Sequence, residues 1–222
     1  KFSSPIASPV SPATYAPGQE YNFTISWTDD VGVDSVKIEH NFTGVLKNET
    51  MTLTSPSTYV FTITDLPAGT YAWRSIAKDT AGNENATPAL TYTIDKAASL
   101  TNLSLNGTDG NITVELPALV NITAEVIIGQ SFVKILVDDV EVANGTAPVS
   151  IDYNFTTLGD HNVTAVYPET QNYTTSSETH FVKVVDTTPP EFSSPTASPV
   201  SPATYAPGQE YNFSISWTDN VG

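Results

Sequence analysis

Residues 21–27, YNFTISW, decide the fold. Tyr21, Phe23, Ile25 and Trp27 alternate with Asn22, Thr24 and Ser26, the two-residue period of a strand with one face in a core and the other toward solvent. Downstream, TDDVG (28–32) reads as a turn into a second alternating run, VDSVKIEHNF (33–42). Upstream, Pro5, Pro9, Pro12 and Pro17 supply no backbone donor, so residues 1–20 read as a broken edge strand that its prolines protect from lateral pairing.

The same stretch returns. Residues 1–32 recur at 191–222 with four differences, Lys1/Glu191, Ile6/Thr196, Thr24/Ser214 and Asp30/Asn220, which sets a period of 190 residues. That period suits two domains of about 95 residues each. The expected division is 1–95, 96–186 and 187–222, the last being a linker with the first strands of the next copy. The expected context is one period plus an overlap from a longer tandem array; the rival is a subunit whose repeated segment enters a neighbour by strand exchange.

Further strands are expected at 49–54, 58–64, 70–77 and 89–94, and, beyond the connection DKAAS (95–99), at 100–105, 111–116, 120–128, 132–139, 140–143, 149–155, 161–167 and 179–185. No segment carries helical periodicity. About seven short strands in each half predict an all-β chain of tandem immunoglobulin-like antiparallel β-sandwiches, two per repeat. Leu66, Gly69 and Tyr71 match L-x-x-G-x-Y, the tyrosine corner of such sandwiches, and Trp27 and Trp73 are expected as core anchors rather than a carbohydrate platform. In DTTPP (186–190), Pro189 and Pro190 make a stiff spacer.

Composition narrows the function. There is no cysteine, so disulfides, zinc-cysteine sites and thiol catalysis are excluded. A formal charge of −16, from 24 acids and 8 scattered bases, argues against nucleic acid as a partner. No run of 18 apolar residues occurs, so membrane attachment is expected only through an anchor outside these residues. The three histidines, His40, His161 and His180, do not fall at metal-ligand spacing, and no nucleophile elbow, phosphate loop or paired-carboxylate motif stands out; the chain is not expected to be an enzyme, and no cofactor is required.

Asparagine carries the sharpest signal. Of 15 asparagines, 13 begin N-x-Ser/Thr: Asn22, Asn41, Asn48, Asn85, Asn102, Asn106, Asn111, Asn121, Asn144, Asn154, Asn162, Asn172 and Asn212. Ser and Thr make up 53 of 222 residues, so chance would complete only roughly four such triplets. Covalent N-glycans, and with them an extracellular, cell-surface location, are therefore expected.

One further chemistry is expected at the turns. Asp29 and Asp30, with Asp79 and Asn83 of DTAGNEN (79–85), should share one end of the first sandwich, where the preceding linker of an array would bring an equivalent of Asp186; Asp219 in the second copy is the repeat equivalent of Asp29. Such hard oxygen groups could hold Ca2+ at domain junctions.

WTDDVGVDSV (27–36), LPAGTYAWRSIAKDTAGNEN (66–85) and DTTPP (186–190) resemble the Ig-like modules of large prokaryotic surface proteins, and LGDHNVTAVYPETQNYTTSSETHFVKVV (158–185) resembles the Ig-like repeats of bacterial and archaeal adhesins. The resemblance implies a stalk, adhesin, filament or S-layer role. The function expected is that of a structural repeat unit of a heavily N-glycosylated extracellular filament, tether or giant adhesin stalk, partnered by neighbouring repeats or identical subunits. The alternatives are an S-layer or sheath component, a module that binds glycans or a host surface, and a strand-exchanged filament subunit.

Overall fold

The structure is a computed structural model and describes residues 1–220; Val221 and Gly222, the last two residues of the second copy, lie outside it. The first ten strands are β1 (Ile6–Ser8), β2 (Ala13–Thr14), β3 (Glu20–Ser26), β4 (Val33–His40), β5 (Lys47–Thr50), β6 (Thr52–Ser55), β7 (Thr58–Thr64), β8 (Gly69–Asp79), β9 (Glu84–Ala86) and β10 (Leu90–Asp95). They form two sheets, β1-β3-β7-β6 and β2-β10-β8-β4-β5, with β9 on β8. Lettered in the immunoglobulin manner the orders are A-B-E-D and A′-G-F-C-C′, so the expected fold class is the observed one.

The alternation at 21–27 places Tyr21, Phe23, Ile25 and Trp27 in the core. Phe23 stacks on Phe42 at 4.6 Å and meets Trp73 edge-on at 4.9 Å. Trp27 is buried too, and its indole N–H donates to Ser75 Oγ at 3.0 Å, which removes the penalty of a buried unpaired donor. The tyrosine corner is present: Tyr71 O–H donates to the Pro67 carbonyl at 2.7 Å, above the buried Leu66.

Two features depart from the sequence reading. The run at 49–54 is not one strand. β5 pairs with β4, β6 pairs with β7 in the other sheet, and the chain crosses between them at Met51, whose side chain is buried; a crossing strand can bury the one residue at its switch and expose both arms. The proline-rich entry is likewise split between sheets. β1 pairs antiparallel with β3, while β2 runs parallel to β10, so the sandwich is not wholly antiparallel. The segment between them is tied down by Tyr92 O–H on the Pro9 carbonyl at 2.8 Å and by Thr93 N–H on Ser11 Oγ at 2.9 Å.

The next eight strands are β11 (Leu100–Leu105), β12 (Ile112–Glu115), β13 (Ala118–Ile128), β14 (Phe132–Val137), β15 (Val140–Thr146), β16 (Val149–Phe155), β17 (Gly159–Tyr167) and β18 (Ser176–Val185). Their sheets, β11-β13-β16 and β12-β18-β17-β14-β15, give A-B-E and A′-G-F-C-C′. Here too the A′-G pair, β12 with β18, is parallel. Asp138 and Asp139 take positive φ of 49° and 64°, the left-handed pair that a two-residue hairpin turn requires, and so end β14 two residues before the expected limit. The core includes Leu103, Val120, Ile122, Ile135, Val163 and Val182.

The second copy contains β19 (Glu191–Phe192), β20 (Thr196–Ser198), β21 (Asn212–Ser214) and β22 (Trp217–Thr218). No sheet mixes strands of 1–95, 100–185 and 191–220. By compactness the chain forms two units, Lys1–Thr101 with Val126–Phe132 and Val166–Ser177, and Asn102–Glu125 with Val133–Ala165 and the described residues from Glu178 on.

Candidate functional site

The second copy rebuilds the first in detail. In the first, Ile6, Ala7 and Ser8 face Thr24, Phe23 and Asn22. In the second, Thr196, Ala197 and Ser198 face Ser214, Phe213 and Asn212. The flanking bonds repeat as well: Ser3 N–H on the Ser26 carbonyl at 2.9 Å becomes Ser193 N–H on Ser216 at 2.8 Å, and Gln19 N–H on Ala16 at 3.1 Å becomes Gln209 N–H on Ala206 at 3.1 Å. The hairpin is thus encoded within its own residues.

The two copies differ in what covers them. Tyr21, Phe23, Ile25 and Trp27 are 0, 0, 1 and 3% exposed, whereas Tyr211, Phe213, Ile215 and Trp217 are 45, 81, 46 and 62% exposed. In the first copy β7 pairs along all seven residues of β3; in the second, β21 is three residues long. Ala13–Thr14 form a strand on β10, and Ala203–Thr204 form none. The second hairpin therefore carries the same apolar row, Tyr211, Phe213, Ile215 and Trp217, that is buried in the first sandwich as Tyr21, Phe23, Ile25 and Trp27.

None of the 13 sequon asparagines is buried. Asn48, Asn85, Asn106, Asn111, Asn121, Asn144, Asn154 and Asn212 are exposed, and Asn22, Asn41, Asn102, Asn162 and Asn172 are half-buried. Strand alternation explains this: Asn121 stands outward between the fully buried Val120 and Ile122. The side chains differ in which end they use. Asn41, Asn106 and Asn111 accept backbone N–H groups of Ala72, Asn121 and Phe181 through Oδ1, whereas Asn121 spends its Nδ2 on Ser150 Oγ at 3.2 Å and Asp152 Oδ1 at 2.8 Å.

Of the six turn residues considered for Ca2+, Asp29, Asp79 and Asn83 line one pocket, with Lys1 and Glu84. The two turns are joined by Thr80 N–H on the Gly32 carbonyl at 3.0 Å. Asp79 already accepts Asn83 N–H at 2.8 Å and Asn83 Nδ2 at 2.9 Å, and these bonds hold its carboxyl below the usual value. Asp30 is exposed outside the pocket lining, and Asp186 and Asp219 belong to the other compact unit.

The histidines carry chemistry that spacing did not signal. His40 is fully buried between the rings of Phe42 (4.4 Å) and Phe61 (5.1 Å), with Nδ1 accepting Phe42 N–H at 3.3 Å. Burial holds its pKa below the ordinary value, against the opposing pull of Glu49. His161 pairs with Asp138 at 2.7 Å. Burial alone would lower its pKa, but the hydrogen bonds to Asp138 and the Thr157 carbonyl, with the charges of Asp138 and Asp160, raise it. His180 lies with Asp109 and Glu178.

No known family's sequence profile matches the chain, and no curated protein matches its sequence. Among solved structures the chain is similar to the fibronectin(III)-like modules of CbhA from Clostridium thermocellum, at 18% identity over 82% of this chain and 95% of that one, TM-score 0.34. It is also similar to the amphioxus IgVJ-C2 molecule, at 14% identity over 77% and 99%, TM-score 0.35. A third is a Ca2+-stabilized adhesin with which an Antarctic bacterium reaches out and binds ice, at 13% identity over 87% and 51%, TM-score 0.32. Overlaps at this level carry no statement of function, and the immunoglobulin-like assignment rests on strand order.

Proposed function

We propose that this chain is a structural repeat unit of an N-glycosylated extracellular filament, tether or adhesin stalk. The observation that carries the reading is the repeat itself: residues 191–222 restate 1–32 with four differences, and Thr196–Ser198 pair with Asn212–Ser214 in the register of Ile6–Ser8 on β3. Covering Phe213, Ile215 and Trp217 with strands like β4, β7, β8 and β10 would gain on the order of 5–9 kcal/mol from apolar burial. Such strands, from the same polypeptide or from a second copy by strand exchange, would complete a further sandwich, and the repeat suits both arrangements. In either case one repeat would be joined to the next.

The remaining features fit a mechanical role. Glycans on the 13 outward or half-buried asparagines would coat the sheets, hindering stacking and proteolysis. Pro189 and Pro190 would stiffen the entry to each repeat, and Ca2+ on Asp29, Asp79 and Asn83 would add to that stiffness once a linker carboxylate like Asp186 joined them. Electron microscopy of native material tests the reading: long threads with a two-sandwich repeat support it, and compact globules refute it. Hot denaturant separates the two arrangements, since a continuous polypeptide stays intact and a strand-exchanged assembly falls into short chains.

A further inference from the structure

We propose that Asp109, Glu178 and His180 form a binding site for a divalent transition-metal ion of the zinc type. Glu178 and His180 continue the inward-facing row of β18, whose next members, Val182 and Val184, are buried; alternate residues of a strand share a face. The row thus turns from aliphatic to ligand-bearing at the end of the core. Asp109 arrives from the turn after β11. There Asn106 and Gly107 take positive φ of 51° and 75°, and Leu105 and Thr108 exchange two backbone hydrogen bonds, both 2.9 Å, so the carboxylate is carried on a closed hairpin turn.

His180 Nε2 lies 3.1 Å from Asp109 Oδ1 and 3.8 Å from Glu178 Oε1, and the three ligand atoms are within 4.8 Å of one another. One imidazole nitrogen carries at most one proton and can serve one carboxylate, so two carboxylate oxygens converging on Nε2 leave a repulsion that a cation would relieve. Ligand atoms about 2.0–2.1 Å from a tetrahedral metal stand about 3.4 Å apart, between the 3.1 and 3.8 Å of the two pairs made by His180 Nε2. The far oxygen of Glu178 accepts Leu103 N–H at 2.6 Å, the kind of outer bond that orients a metal ligand. An imidazole with two carboxylates favours zinc-type ions over Ca2+, which prefers oxygen alone. Asp109 is exposed, so the fourth position opens to water. A bound ion would tie β18 to the turn between β11 and β12.

Calorimetric titration of the full chain with Zn2+ at neutral pH, in a buffer that does not chelate, tests the site. The expected result is one saturable equivalent, weakened more than about tenfold in Asp109→Asn and in His180→Ala, unchanged in His161→Ala, and unaffected by excess Ca2+. Imidazole 15N spectra should shift at Nε2 of His180, and the exposed Asp109→Asn variant keeps the test valid if His180→Ala unfolds. No heat beyond dilution, binding in both site variants as tight as in the unaltered chain, loss in His161→Ala, or displacement by Ca2+ would each overturn the proposal.

Discussion

The imidazole Nε2 of His161 lies 3.0 Å from the carbonyl oxygen of Thr157, four residues upstream. In the first sandwich the same place belongs to Tyr71, whose hydroxyl donates to Pro67, also four residues upstream, at 2.7 Å. Gly69-x-Tyr71 opens β8 and Gly159-x-His161 opens β17. The two sandwiches therefore close equivalent corners with a phenol in one and a titratable ring in the other.

Opposite pH responses follow. His161, raised in the folded state, contributes stability that is fully present below about 6.5 and is lost as pH rises through its folded value. His40, lowered by burial, contributes stability present above about 6.5 and lost as pH falls through its folded value, because the unfolded chain binds the proton first. Hydrogen exchange resolved by region should show β17 better protected on the acid side of about 6.5 and β4 better protected on the alkaline side. His161→Tyr, which restores the phenol, should flatten the response of the second sandwich alone. Parallel profiles for both sandwiches would refute this assignment.

Tyr71→Phe keeps the ring and removes only the bond to Pro67. It should lower the stability of the first sandwich by about 1–2 kcal/mol in denaturant titration and leave exchange in β11–β16 unchanged. A shift below about 0.5 kcal/mol would mean that water replaces the bond.

Met51→Ala should be more severe, because this side chain fills the core at the point where the chain changes sheets. A loss of about 2–5 kcal/mol is expected, against less than about 0.5 kcal/mol for the neighbouring exposed Thr52→Ala. Equal effects would show that the crossing is not anchored by Met51.

What the sequence disclosed, and what it hid, follows from the range of the interactions. The alternation of Tyr21 to Trp27 and the spacing of Leu66, Gly69 and Tyr71 are local, and each sits in the core or at the corner as its pattern requires. The break at Met51 was hidden because Met51 and Leu53 alternate with polar residues in ETMTLT as they would in one strand, and only long-range pairing with β4 and β7 divides it. The parallel β2–β10 and β12–β18 pairs join segments far apart in the chain. The same holds for His180 and Asp109, separated by 71 positions. His161 could have been found, since Gly-x-His opens a strand where the first sandwich has Gly-x-Tyr.

Glycan occupancy should follow the hydrogen bonds of each asparagine. Attachment replaces one hydrogen of Nδ2. Asn106 and Asn111, exposed and engaged through Oδ1, lose nothing by it, while Asn121 gives up a bond to Ser150 or Asp152. Site-resolved glycopeptide mass spectrometry on native cell-surface material should find Asn106 and Asn111 occupied more fully than Asn121. The reverse order would refute this ranking, and bare asparagines throughout would remove the argument for a glycan coat.

The central claim, that the second hairpin is a working substitute for the first, is tested most directly by deleting residues 1–32 and following hydrogen exchange at Tyr211–Trp217. If the claim holds, residues 33–95 recruit that hairpin, its amides slow to the rates of Tyr21–Trp27 in the full chain, and Trp217 emission moves to the blue as the indole is covered. If Tyr211–Trp217 exchange as freely as before while residues 33–95 lose their structure, the hairpin is not a seed for a further sandwich and the account of a self-continuing repeat is wrong.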